Sequence, residues 1–418
     1  MRAQFGRRFA LVIGIALLVT LAAACRSSST KSPAATGQAP GSATGQALTA
    51  SAPGVTASEI IIGSNGPLTG PAAGYATWNK GMQAYFDYVN ANGGVHGRKI
   101  VYKYYDDGFD PSRTVGVMQR LVNQDHAFAV SCLGTAPCSS VYKTLDDQQV
   151  PIVGIGSGSS IFVNPVRKYV FPFLQSYRWE NDVLAQYAKE TYPGARIGLL
   201  YQNDSAGKDF FESWTRIAGP SIAKVTTYDV GDPSVTSQVQ ALKNSGATLV
   251  AFNGTIKYPP LLMRAIADLG WKVPVISTGE AIDPTITIPA SGSAAEGLIT
   301  VEPMPLYNDY SNEYVRQFHD IQQKYAPAAE WSSFTLVGMA TAYFIVEGLK
   351  AAGPSLTRDG FVKALEGTKG LKGPWYGTAT LSATQHRALN CEGFLKVENG
   401  KFVPFGKVVC RAQAGAGG

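Results

Sequence analysis

Short apolar segments alternate with amphipathic ones along most of this chain, and that alternation constrains the fold more than any other feature. Glu59-Ile60-Ile61-Ile62-Gly63 reads as a buried strand, followed by a Gly/Pro loop and a helix with Trp78, Met82, Phe86 and Val89 on one face. The same rhythm predicts strand 99–105, helix 113–123, strand 127–133, helix 139–148 and strand 151–156. A second series predicts helix 180–191, strand 196–201, helix 208–217, strand 224–230, helix 234–244, strand 248–253, helix 260–269 and strand 273–278. Helical stretches 333–352 and 358–366 come later, then a β-rich tail over 377–409. Strands buried on both faces by helices imply an α/β fold of two doubly wound, Rossmann-like lobes. A small ligand then belongs in a cleft at the carboxyl ends of the strands.

The N-terminus reads as an address. Arg2, Arg7 and Arg8 precede an apolar run over 9–21, and Ala22-Ala23-Ala24-Cys25 ends it, which is the pattern of an export signal over residues 1–24. The small residues before Cys25 resemble a bacterial lipobox, which implies lipidation of Cys25. One departure is that Ala22 stands where that motif favours leucine, with Leu21 one step earlier. Residues 25–55 are mostly Ser, Thr, Ala, Gly, Pro and Gln, a composition that predicts a flexible tether between a membrane-held end and a body. The formal charge of +6 is half contributed by the three leader arginines, so the body is nearly balanced and a nucleic-acid partner is not expected.

Export also bears on the cysteines. Beyond Cys25, an oxidising compartment favours pairing Cys132 with Cys138 across a short turn and Cys391 with Cys410 across a hairpin turning at Glu398-Asn399-Gly400. Four unpaired buried thiols are the alternative, and a zinc site has no CxxC or paired-histidine spacing behind it.

Catalytic and cofactor chemistry find little support. His96, His126, His319 and His386 each stand among polar residues, which predicts surface positions and no metal set. Gly156-Ser157-Gly158-Ser159-Ser160 misses the GxSxG nucleophile pattern and instead suggests close approach of backbone to a ligand. Gly207-Lys208 is no phosphate loop, because Gln202 holds the first glycine's place and Asp209 follows the lysine. The trio Asp106, Asp107 and Asp110 reads as a strand-end turn and helix cap in preference to a calcium loop. No enzyme, metal or cofactor is expected.

Several blocks carry a resemblance. Ile61-Ile62-Gly63, Pro67-Leu68-Thr69-Gly70-Pro71, the run 88–99 (YVNANGGVHGRK) and Tyr105-Asp106-Asp107 resemble, in order and spacing, the leucine/isoleucine/valine-binding proteins. These are the type I periplasmic binding proteins that feed ABC importers. Val150-Pro151-Ile152-Val153-Gly154, Arg196-Ile197-Gly198-Leu199-Leu200 and Ala294-Ala295-Glu296-Gly297-Leu298 extend the resemblance over 56–409. It implies two lobes joined by three hinge crossings, with lobe I at 57–172 and 303–372 and lobe II at 173–302 and 373–418. It also implies a small polar solute, an amino acid or small carboxylate, held with an affinity on the order of micromolar and passed to a membrane permease. A receptor ectodomain of the same fold is the alternative, and an exported hydrolase is a more distant one.

The resemblance also nominates binding residues. Tyr75 matches the family's cleft aromatic, with packing on its own lobe as its other reading. Thr135 with Ala136, and Ser157 with Ser159, stand at the strand ends where the family clamps a carboxylate with hydroxyls and backbone amides. In lobe II, Ala206 and Thr255 or Ile256 replace the family's tyrosines. Glu280 is the expected partner of an ammonium, and Asp204 is a second candidate.

Overall fold

The computed structural model describes residues 48–411. Cys25, the leader and the tether as far as residue 47 lie outside the described residues. Two sheets organise the rest. The first holds β1 (Glu59–Gly66), β2 (Lys99–Asp106), β3 (Ala129–Leu133), β4 (Ile152–Gly156) and β5 (Val170–Pro172), all parallel, in the order β2-β1-β3-β4-β5. The second holds β6 (Ile197–Gln202), β7 (Ile222–Tyr228), β8 (Leu249–Asn253), β9 (Val275–Ser277) and β10 (Ile299–Glu302) in parallel, and β11 (Cys391–Glu398) and β12 (Lys401–Cys410) add an antiparallel edge. Its order is β12-β11-β10-β9-β8-β6-β7.

Among the described residues, twelve α-helices cover these sheets. The first sheet carries α1 (Thr77–Ala91), α2 (Pro111–Asn123), α3 (Thr135–Ser139) and α4 (Tyr142–Asp147). The second carries α5 (Tyr177–Thr191), α6 (Ser205–Ala218), α7 (Thr236–Asn244), α8 (Tyr258–Asp268) and α9 (Pro284–Ser291). The chain then returns to the first sheet with α10 (Glu313–Tyr325), α11 (Ser333–Ala352) and α12 (Arg358–Glu366).

Strand periodicity sends alternate side chains to opposite faces, so each sheet supports two separate apolar layers. In the first sheet Ile60, Ile62 and Val153 pack with α1 and α11, while Val130, Cys132, Ile152 and Ile155 pack with α2, α3 and α4. In the second, Leu200, Val250 and Phe252 face α7 and α8, while Leu199, Ala251 and Ile276 face α5 and α6. Helix α11 is long and apolar enough to cross a membrane by composition, but it is a core helix, with most of its residues buried against α1 and α12. Glycine makes its approach to α1 possible. A Cβ on Gly81 would stand 2.2 Å from the Thr335 carbonyl oxygen, and one on Gly338 would stand 2.1 Å from that of Trp78.

Both expected disulfides are present, Cys132–Cys138 and Cys391–Cys410. Asp110 caps α2 by accepting from Ser112 N and Arg113 N, as the aspartate trio suggested. Asp106 accepts from Leu68 N and Thr69 N and so ties the Gly/Pro loop to the end of β2.

Four expectations need correction. The flexible stretch does not run to Val55: Val55 is buried, Ser51 donates to the Leu356 carbonyl, and the Arg98 guanidinium donates to Thr49 O, Thr56 O and Pro354 O. Arg98 fastens this segment because its fork satisfies three carbonyls at once. The expected helix 139–148 is split into α3 and α4 at Ser140 and Val141. Helix α10 is present where no helix was read, although Val315, Phe318, Ile321 and Gln322 form a buried stripe at helical spacing behind the Asn312 cap. His386 is buried, stacked on Phe171 at 4.0 Å between ring centroids and hydrogen-bonded to Val170 O and Glu366.

Candidate functional site

The carboxyl ends of the two sheets face one cavity of about 60 Å³. On the side of the first sheet its wall is apolar: Tyr75, Trp78, Phe109, Leu133, Phe334 and Val337, with Gly134 and Gly156 at the ends of β3 and β4. On the other side the wall is polar, with Gln202, Asn253, Thr255 and Glu280 from the second sheet's loops. Gln175 and Glu302, where the chain passes between the sheets, complete it. No lysine, arginine or histidine is among the lining residues.

Tyr75 sits in the turn Ala73–Ala76 that the Gly/Pro loop feeds into α1. Its ring lies edge-on to Phe334 at 4.7 Å, and its hydroxyl reaches the second sheet, donating to the Glu280 carbonyl at 2.9 Å and accepting from Ile256 N at 3.0 Å. The residue therefore forms part of the cavity wall and also ties the two halves together. Burial pushes its hydroxyl above the ordinary tyrosine range, so it stays protonated and able to donate.

Several oxygens of this polar wall are left unpartnered by the protein. Glu280 Oε1 accepts from Thr278 Oγ1 at 2.8 Å and from Asn253 Nδ2. Glu280 Oε2, Asn253 Oδ1, Thr255 Oγ1 and Gln175 Oε1 are buried and have no hydrogen-bond partner among the described residues. Unpartnered buried acceptors are costly, on the order of 1–3 kcal/mol each, unless something brings donors to them. Here all four belong to residues that line the cavity.

Not every residue expected at the site reaches it. Thr135, Ala206 and Thr255 line the cavity beside Tyr75 and Glu280. Ser157 and Ser159 do not. Ser157 Oγ is bonded to Thr135 Oγ at 2.7 Å and supports it from behind, while Ser159 Oγ donates to Asp209 Oδ2 at 3.0 Å, away from the cavity. Ala136 points elsewhere in the short α3, and Asp204 is the cap of α6, accepting from Ala206 N and Gly207 N. Of the four clamp residues expected on the first sheet only Thr135 lines the cavity, and of the two acids expected on the second only Glu280 does.

The sequence profile of the periplasmic binding protein family matches residues 59–401. The chain belongs to this family. A Leu/Ile/Val-binding protein homolog of Brucella abortus is 25% identical over 308 residues, 72% of this chain and 80% of that protein. A branched-chain amino acid ABC transporter protein of Thermus thermophilus, solved with bound valine, superposes with a TM-score of 0.78 at 18% identity, covering 85% of this chain and 97% of its own. A fatty acid ABC transporter substrate-binding protein of Thermomonospora curvata superposes with a TM-score of 0.76 at 20% identity, covering 86% and 94%. Neighbours described as binding such different solutes share this fold, so within periplasmic binding proteins the ligand is decided by the cavity lining.

In this periplasmic binding protein the lining also includes residues that the sequence reading missed. Trp78 was read as helix-face packing and Phe334 as part of a helical stretch, yet both line the cavity. Gln175, Asn253 and Glu302 sit at the ends of strands or in the segments after them, where an α/β cleft collects its polar groups, and that position is the signal that marks them.

A second polar junction joins the halves outside the cavity. Asp209 of α6 accepts from Ser159 Oγ, Ser160 N and Ser160 Oγ on the first side and from Arg178 Nε on its own. Arg387 donates to the carbonyls of Ser159, Leu174 and Gln175 from the segment after α12. Asp283 Oδ2 accepts from Phe334 N across the same divide. These contacts, with Tyr75, hold the two sheets closed over the cavity.

Proposed function

We propose that this periplasmic binding protein is the exported solute-binding component of an ABC importer. In this reading it is tethered to the membrane by a lipid on Cys25 and hands a small amine-bearing solute, an amino acid foremost, to a permease. Its two lobes, divided at about residues 172, 302 and 372, close by hinge motion at the three crossings. It binds and delivers, and performs no chemistry on the solute.

The observation that carries this reading is the set of unpartnered oxygens on cavity-lining residues, with no cationic side chain beside them. An ammonium brings several N–H donors, and Glu280, Asn253 and Thr255 offer it unpartnered oxygens with one charge among them. The solute's apolar part packs against Trp78, Phe109, Phe334 and Val337. A carboxylate without an amine fits worse, because no cationic side chain lines the cavity to receive it.

Calorimetric titration with L-valine, isobutylamine and 3-methylbutanoate tests the class of solute. Saturable heat is expected from an amine-bearing compound and none from the acid alone. Binding of the acid with silence from both amines would overturn the reading. Mass spectrometry of whatever the denatured protein releases identifies the natural ligand directly.

A further inference from the structure

Behind the polar wall the carboxyl groups do not stop at Glu280. Glu302 at the end of β10 lines the cavity with Glu280 and pairs with Gly393, beside Glu392 of β11, while Glu180 of α5 bonds the backbone just before Glu280. The carboxylate of Glu180 adds to the field on Glu280 and on Glu392. Glu180 accepts from Gly279 N at 2.7 Å and from Gln175 Nε2 at 3.3 Å. Glu392 is fully buried, and neither of its oxygens has a hydrogen-bond partner among the described residues.

The surroundings do not neutralise this group. Asp283, just before α9, adds to the field on Glu302, and Tyr75 and Tyr177 face Glu280. Tyr376 faces Glu302. The buried Arg387 is directed at carbonyl oxygens and at Asp209 and Tyr177, with Arg411 near it. Carboxyl groups gathered in one buried place cannot all be ionised, and an ionised buried carboxylate without a counter-ion is too costly to persist.

We propose that the cleft takes its solute's cation in exchange for a proton: with the cleft empty, Glu180, Glu280, Glu302 and Glu392 share protons, and an ammonium seated on Glu280, Asn253 and Thr255 releases one to solvent. The O–H bond of a glutamic acid breaks, its electron pair stays on the carboxylate, and the proton leaves to water. The incoming N–H groups donate to the oxygens so exposed. The net charge of the buried region is unchanged, and that is why a cluster of acids is tolerable on both sides of the exchange. Burial lifts all four groups, holding Glu180 up at about 7 and the other three well above the carboxylate range, which puts the exchange in the neutral region.

The inference rests on the amine-bearing solute proposed above, and its test separates the two. The full chain is titrated with L-valine and isobutylamine at pH 6 in phosphate and in an imidazole-type buffer whose ionisation heat is much larger. The expected result is a heat that differs between buffers by about one proton per solute bound, with affinity rising roughly tenfold per pH unit from 5 to 7. Saturable binding with buffer-independent heat and flat pH dependence would overturn the exchange while leaving the choice of solute standing. Should neither amine bind, the infrared spectrum of the unliganded protein decides. A protonated-carboxyl carbonyl band at pH 7 that weakens in Glu392→Gln supports shared protons, and its absence overturns them.

Discussion

Tyr75 shows how one side chain serves wall and hinge together. Its ring is held by Phe334, and its hydroxyl makes two bonds that exist only while the sheets face each other. Removing that hydroxyl in Tyr75→Phe deletes cross-cleft bonds worth about 1 kcal/mol each and leaves the packing intact. Solute affinity is therefore expected to fall about tenfold in calorimetry, with the unliganded melting temperature moving little; an equal affinity would mean the bonds do not contribute to closure. Tyr75 and Glu280, which the resemblance nominated as binding residues, both line the cavity. The serines do not. Ser157 and Ser159 have the same donor chemistry as a clamp, and only their partners, Thr135 and Asp209, reveal that their hydroxyls are already engaged.

At the scale of elements, the strands were legible because burial on both faces leaves an unbroken apolar run such as Ala129–Leu133. Boundaries set by caps were legible at Asp110. Helix α10 escaped because its buried stripe is diluted by the charged residues on its solvent face, and the split of 139–148 has no proline or glycine to announce it. The crossing of α1 and α11 belongs to this scale. Gly338→Ala places a methyl against the Trp78 carbonyl, so the helices must separate at the point where Trp78 enters the cavity. A loss of roughly 1–3 kcal/mol in denaturant unfolding is expected, with weakened solute binding as well. Unchanged stability would show that the crossing has slack.

The whole molecule adds two consequences. Asp209 collects four bonds at the junction of the halves, so Asp209→Asn weakens the closed form, and small-angle scattering of the unliganded protein is expected to give a larger radius of gyration than wild type. An unchanged radius would place the closure energy elsewhere. The second consequence concerns pH. Glu180, Glu280, Glu302 and Glu392 hold protons in the folded state above the ordinary value of 4.5, so between that pH and about 7 the folded chain binds more protons than the unfolded one. Their contribution to stability is complete below 4.5 and is lost as pH rises through their folded values. Melting temperature is expected to decline from pH 5 to pH 8, and Glu392→Gln, which cannot ionise, should flatten that decline. A rising curve would contradict the buried acid cluster.

The alternation of strands and helices was legible in the sequence through local periodicity, and spacing favoured the disulfide pairs, while the cleft aromatic and its acid were nominated only by the resemblance to a known family. Tertiary structure alone decided which hydroxyls remain free, which acids gather behind the cavity wall, and which oxygens are left without donors. Those properties depend on groups distant along the chain: Glu180 and Glu392 become neighbours only when β11 returns to the second sheet. A linear pattern records what each residue prefers, but the cost of a buried charge depends on what the fold brings beside it.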